Sequence, residues 1–277
     1  MTSAPALRLL QVTDPHLFED EAGEIYGVTT ATTFRAVLAA ALDSPPGPVD
    51  AVLVTGDIAE DGARGTYERF RAEMLRLGLP VACIPGNHED PGVLAEFVAD
   101  PPLQYCGTLC LPGWRIVMLD THLPRSPAGQ LSEEEFTRLD RELAAAKDEH
   151  VLVALHHQPV PIGSRWLDAF GLRNPEAFLE RIRAAGNVRA VLWGHVHQAY
   201  DRMHDGIRMM STPSTCAQFT PHTERCVMDL RPPGFRWIEL MPDGSIVTEV
   251  VWLEHMRQGE RPPDSRQGSD PSCARGE

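Results

Sequence analysis

Leu7-Arg8-Leu9-Leu10-Gln11-Val12-Thr13-Asp14-Pro15-His16 is the stretch from which the rest of the chain can be read. Its first six residues have the length and apolar content of a strand covered on both faces. The chain then passes straight into an aspartate and a histidine, two side chains that bind metal ions. Four further apolar runs end in the same way. Ala51 to Val54 leads into Gly56-Asp57, Val81 to Ile84 into Gly86-Asn87-His88-Glu89, Val151 to Leu155 into His156-His157, and Ala190 to Trp193 into Gly194-His195-Val196-His197. In open α/β sheets, ligands sit in the crevice beyond the carboxyl ends of the strands, so five such loops are expected to converge on one place.

Helical spacing fills the intervals. Thr33 to Leu42 and Thr66 to Leu77 carry apolar residues at helical period, Ser132 with Glu135 forms a capping box before Phe136, Leu139 and Leu143, and a helix opens at Asn174-Pro175 and closes at Gly186. The alternation predicts an α/β architecture with mainly parallel central strands. After about residue 205 the pattern turns to strands alone, at Ile207 to Ser211, Cys226 to Leu230, Phe235 to Leu240 and Ile246 to Trp252, the last pair joined by Pro242-Asp243-Gly244. An antiparallel sheet edge is therefore expected there. From His255 onward the chain is polar and aperiodic, which predicts one domain over residues 1–254 and a flexible tail over 255–277.

Composition narrows the partners. The 277 residues are 43% hydrophobic, and a chain of this size buries roughly 75% of its unfolded surface. Thirty-nine acidic against 25 basic residues give a net charge of −14, which repels both a nucleic-acid backbone and an anionic membrane face. No apolar run reaches the ~18 residues of a membrane span, and Met1-Thr2-Ser3-Ala4-Pro5 lacks the basic start of an export signal, so a cytoplasmic protein is expected. The six cysteines show no C-x-x-C spacing and are expected to be buried or free thiols.

Aspartate, asparagine and neutral imidazole form a nitrogen and oxygen donor set suited to Fe, Mn, Zn or Co. Seven such donors, Asp14, His16, Asp57, Asn87, His156, His195 and His197, suit two ions better than one. The i, i+2 spacing of Asp14 with His16 and of His195 with His197 places each pair on one side of an extended backbone. Glycines before Asp57, Asn87 and His195 permit sharp turns and close approach. Taken singly, each piece has a mundane reading, such as a helix cap at Asp14 or Asp57 or a plain turn at Gly86-Asn87. Their conjunction at five strand ends is what points to a site. Asp120-Thr121-His122 repeats the D-x-H spacing after Ile116 to Leu119 but belongs to none of the five loops, and is expected to be loop structure or to support the ligands from behind.

In order and spacing, Asp14-x-His16, Gly56-Asp57-x4-Gly62, Gly86-Asn87-His88-Glu89, His156 and Gly194-His195-x-His197 resemble the calcineurin-like metallophosphoesterases. Segments around Gln158-Pro159, Ser164 to Asp168, Gly171 to Asn174 and Ser211 to Phe219 are similar to the bacterial class III 3′,5′-cyclic-AMP phosphodiesterases of the CpdA/Icc type. The resemblance implies a four-layer α/β/β/α sandwich, two mixed sheets flanked by helices, around a binuclear site. It implies that Asp14, His16, Asp57 and His197 hold a first ion, usually Fe, and that Asp57, Asn87, His156 and His195 hold a second, Mn or Fe, with Asp57 bridging. His16, Asp57, Asn87, His88 and His197 would contact the phosphate of a small cyclic nucleotide. Hydrolysis to 5′-AMP would proceed by in-line attack of a hydroxide bridging the ions, with His88 stabilising or protonating the departing 3′ oxygen. Glu89 stands where relatives carry Asp and, keeping the charge, is expected to support His88; Gln158 is expected beside the site. Asn174, before Pro175, is read as a helix cap rather than a substrate contact. Two other readings remain: a broader phosphodiesterase or phosphomonoesterase, and a non-catalytic scaffold. Monomer and homodimer are both compatible with the sequence.

Overall fold

The computed structural model describes residues 5–43 and 45–253. Along the chain run β1 (Leu7–Val12), the short hairpin β2 (Glu24–Ile25) and β3 (Val28–Thr29), α1 (Thr30–Asp43), β4 (Ala51–Val54), α2 (Arg64–Arg76), β5 (Val81–Cys83), α3 (Pro91–Val98), β6 (Leu103–Tyr105), β7 (Gly107–Leu111), β8 (Trp114–Met118), α4 (Glu133–Ala145) and β9 (His150–Ala154). There follow α5 (Arg165–Asp168), α6 (Pro175–Ala185), β10 (Val188–Trp193), β11 (Tyr200–His204), β12 (Ile207–Ser211), β13 (Gln218–Phe219), β14 (Met228–Asp229), β15 (Gly234–Leu240) and β16 (Ile246–Trp252). Two six-stranded sheets result, in the orders β16-β15-β1-β4-β5-β6 and β11-β12-β10-β9-β8-β7. In each, four strands run parallel and the antiparallel ones lie outside them.

Strand alternation builds the layers. Leu10 and Val12 of β1 pack with Phe34, Val37, Phe70 and Leu94 from the helices α1, α2 and α3. Leu7 and Leu9 point the other way and meet Trp114, Ile116, Leu152 and Leu192 of the second sheet. The outer face of that sheet is covered by Phe136 and Leu139 of α4 and by Phe178 and Ile182 of α6. Helices, sheet, sheet and helices make the expected four-layer sandwich, and the central strands are largely apolar because both their faces are buried.

The longer strands from Tyr200 onward divide between the two six-stranded sheets. β11 and β12 extend the second, whereas β15 and β16 return to the first and pair beside β1. The strand expected over Cys226 to Leu230 shrinks to β14, paired with β13. The tail expected over 255–277 lies outside the described residues. Cys83, Cys106, Cys110 and Cys216 are free thiols, but Cys226 is disulfide-bonded, which corrects the expectation of thiols throughout.

Candidate metal centre

Three of the five strand ends, those after β1, β4 and β10, reach the site through left-handed backbone. Asp14, His16, Asp57, His195 and His197 have φ of 50°, 46°, 49°, 65° and 48°. Such left-handed conformations are uncommon outside glycine and cost of order 1–3 kcal/mol each. The i, i+2 pairs are therefore brought together by tight turns, which corrects the expectation of an extended backbone. Glycines leave room for these turns. A Cβ on Gly86 would overlap Asp57 Oδ1, one on Gly56 the His156 ring, and one on Gly194 Thr13 Oγ1.

Hydrogen bonds fix the imidazole tautomers. Nδ1 of His156 lies 2.7 Å from the Thr55 carbonyl and Nδ1 of His197 lies 2.8 Å from the Ala217 carbonyl. Nδ1 of His16 lies 2.8 Å from Glu60 Oε2. Carbonyl and carboxylate oxygens only accept, so all three Nδ1 atoms carry the proton and all three Nε2 lone pairs face inward. His16 Nε2 and His197 Nε2 stand 3.1 Å apart, two acceptors facing each other. His197 Nε2 is 3.5 Å from Asp14 Oδ1, and His156 Nε2 is 3.3 Å from Asp57 Oδ2. Asn87 Oδ1, His156 Nε2 and His195 Nε2 are buried without a hydrogen-bond partner. Facing lone pairs and orphaned buried acceptors are what a cation would satisfy, so the residues fit divalent ions. Donor atoms of Asp14, His16 and His197 cluster together, as do those of Asp14, Asp57 and His156.

The carboxylates are held ready for such ions. Burial opposes the charge of Asp57, but positive charge beside it, carried by His156, His88 and His16 when they are protonated, outweighs burial and keeps its carboxyl well below the ordinary range, a part that cations would take over from neutral rings. Asp14 is likewise lowered, against burial, chiefly by His197, and accepts from the His195 backbone N–H at 2.9 Å and the Thr13 hydroxyl at 2.6 Å. His195 is pushed down to about 3 by burial and by His156, so it is neutral and able to ligate.

His88 is set apart. Its side chain is 34% exposed, its backbone N–H donates to Asp57 Oδ1 at 3.1 Å, and its Nδ1 lies 3.0 Å from Glu60 Oε2, the oxygen that also holds His16. Partial burial works against its charge, but Asp57 and Glu60 raise it to about 10. The support expected from Glu89 comes from Glu60 instead. Neighbouring residues point to opposite sides, and Glu89 is buried beneath the loop, where it accepts the backbone N–H groups of Asp57, Ala59 and Gly86 at 2.9, 2.9 and 2.5 Å. Burial and the Asp57 charge raise it to about 7. Glu60 was missed in the sequence because its carboxylate meets histidines 44 and 28 positions away only after folding.

The remaining expectations are resolved in the same way. Asp120 accepts the His122 N–H at 2.7 Å, and His122 Nδ1 lies 2.9 Å from the Gly86 carbonyl, so this loop braces Gly86 and stands outside the clusters of facing donors. Asn174 begins α6 but its side chain does not cap it; it binds the backbone N–H and carbonyl of Leu131. His157, beside His156, is buried with Nδ1 2.8 Å from the Thr121 hydroxyl and its Nε2 unpartnered. Gln158 donates to the Leu167 carbonyl at 2.7 Å.

Residues 7–199 match the calcineurin-like phosphoesterase family. The chain belongs to that family. Calcineurin-like phosphoesterase relatives include the 3′,5′-cyclic adenosine monophosphate phosphodiesterase CpdA of Haemophilus influenzae, 39% identical over 251 residues that cover 90% of this chain and 91% of the relative. The CpdA protein of Escherichia coli K12 is 35% identical over 91% of each chain. A dimetal phosphatase from Danio rerio shares the calcineurin-like phosphoesterase fold with a TM-score of 0.63 and 17% identity, over 88% of this chain and 99% of that one. Membership implies divalent metal ions, and among the described residues no helix is long and apolar enough to cross a membrane.

Proposed function

We propose that this chain hydrolyses 3′,5′-cyclic AMP to 5′-AMP at a two-cation site. The observation that carries the reading is the inward-facing set of Nε2 lone pairs, with His16 and His197 only 3.1 Å apart, beside the Asp57 carboxylate. Asp14, His16, Asp57 and His197 would hold one ion, and Asp57, Asn87, His156 and His195 the other. A donor set without thiolate suits Fe and Mn, with Zn or Co as substitutes. Bound there, divalent cations supply Lewis acidity toward the phosphoryl oxygens and toward the attacking water.

The chain's own groups do the rest. Asp57 presents Oδ2 to His156 at 3.3 Å and to His16 at 3.8 Å, so its carboxylate would lie between the two ions. Asn87, His16 and His197 line the place where the phosphate rests. His88, charged at neutral pH and held by Glu60 through Nδ1, is left with Nε2 to donate its proton to the 3′ oxygen as the P–O3′ bond breaks. The backbone around the site is fixed before substrate arrives, because Glu89 ties three of its amides together. The names of the relatives support the cyclic nucleotide over other phosphodiesters. The same reading takes the catalytic domain to about residue 254, supported by β16, a strand of the first sheet that ends at Trp252.

Product analysis tests it. Chelator-treated protein is predicted to be inactive, and Mn²⁺ or Fe²⁺ to restore formation of 5′-AMP from cyclic AMP at a rate far above that for glycerophosphodiesters. Equal or faster turnover of glycerophosphodiesters would replace the substrate. Activity surviving complete metal removal would remove the cation site.

A further inference from the structure

Beneath the donor cluster lies a buried polar chain that crosses from one sheet to the other. Gln11 of β1, fully buried, donates to Thr55 Oγ1 at 2.8 Å and to the Trp193 carbonyl at 3.2 Å, and accepts from the Thr212 hydroxyl. Thr212 in turn accepts from Nε of Arg236, whose Nη2 donates to the carbonyls of Ser211 at 2.7 Å and Tyr200 at 3.3 Å. Its Nη1 donates to Thr248 Oγ1 at 3.1 Å. Arg236 is 2% exposed, yet among the described residues its ion-pair partner is Asp201 at 3.9 Å. A buried guanidinium bound mainly to neutral oxygens is expensive, and a purely structural interface would do as well with apolar groups.

Position suggests what it is for. The donors divide by sheet: Asp14, His16, Asp57 and Asn87 follow strands of the first, and His156, His195 and His197 follow strands of the second. Gln11 stands three residues before Asp14, Thr55 two before Asp57 and Trp193 two before His195. The apolar contacts between the sheets are non-directional and do not set a register. Directional bonds from Gln11, Thr212 and Arg236 do.

We propose that Gln11, Thr212 and Arg236 are positioning residues that clamp the two sheets directly under the site and so set the distance between its two groups of metal ligands. This rests on the two-cation reading. Thr55, which Gln11 holds, faces Nδ1 of His156 through its carbonyl at 2.7 Å, and loss of such an outer hydrogen bond to a metal site weakens affinity by ~10-fold or more.

The test compares Mn²⁺ affinity and content per chain, measured by competition with a chelating indicator, together with melting temperature. Thr212→Val is nearly isosteric and removes the hub hydroxyl; it is predicted to weaken binding of at least one ion about tenfold or more. Thr212→Ser restores the hydroxyl and is predicted to bind as the parent does. Arg236→Lys keeps the charge but loses the fork, and is predicted to weaken binding in the same direction, so the test stands if Thr212→Val does not fold. Ile116→Val, an apolar trim between the same sheets on β8, which carries none of the ligands, is predicted to lower the melting temperature and leave Mn²⁺ affinity unchanged. Parent-like affinity in both Thr212→Val and Arg236→Lys, or an equal loss in Ile116→Val, would overturn the clamp. Failure of the parent protein to bind Mn²⁺ would overturn the cation site itself.

Discussion

At the residue scale the site rests on single atoms that have no substitute. Asp57→Ala removes the carboxylate whose Oδ2 faces both His16 and His156, and is predicted to abolish activity and lower metal content, read by elemental analysis of the purified variant. His88→Ala removes a proton donor and no ligand. It is predicted to keep the parent's metal content while kcat on cyclic AMP falls by ~10²- to 10⁴-fold. The loss should be much smaller on methyl p-nitrophenyl phosphate, whose leaving group needs no proton; equal losses on both substrates would assign His88 to binding instead. Gly86→Ala is predicted to cost metal affinity without replacing a ligand, because the added Cβ overlaps Asp57 Oδ1. Each proposed ligand was legible in the sequence, since Asp, Asn and His stand at strand ends in a fixed order. Their partners were not. Glu60, Thr55 and Ala217 fix tautomers through bonds that span 20 to 101 positions, and nothing in local spacing announces them.

At the element scale, legibility followed burial. β1, β4 and β12 have the bounds read from the sequence, their residues being largely buried, and the half-exposed β16 has them because the Pro242-Asp243-Gly244 turn marks where it begins. α4 begins where Ser132 caps the Glu135 N–H at 3.2 Å. The reciprocal half of that capping box is absent: the Glu135 carboxylate accepts from the Asp120 N–H and binds Arg138. Ser132→Ala is therefore predicted to cost about 1 kcal/mol, measured by urea unfolding. Phe178→Ala, which empties the α6 side of the second sheet, is predicted to cost about 3–5 kcal/mol in the same measurement. β6 and β7 escaped notice because they are short, half-exposed and interrupted by polar residues such as Gln104 and Thr108. The left-handed ligands escaped for another reason: a strained conformation at Asp14 or His195 is imposed by tertiary contacts and contradicts local preference.

At the scale of the whole molecule, two sheets each deliver half of one site. The first contributes the carboxylates and Asn87, the second the imidazoles of His156, His195 and His197, and neither half would retain a cation alone. The return of β15 to the side of β1 could not be read from the antiparallel pattern after residue 205, because strand periodicity does not say which sheet a strand joins. That return brings Arg236 beneath the site and completes the sandwich. The account therefore stands on the number of ions that the assembled crevice holds. Elemental analysis of metal-free protein saturated with Mn²⁺ and freed of unbound ion measures it directly. Two equivalents per chain are predicted for the parent and fewer than one for Asp57→Ala; a parent that saturates at one equivalent would contradict the two-cation site.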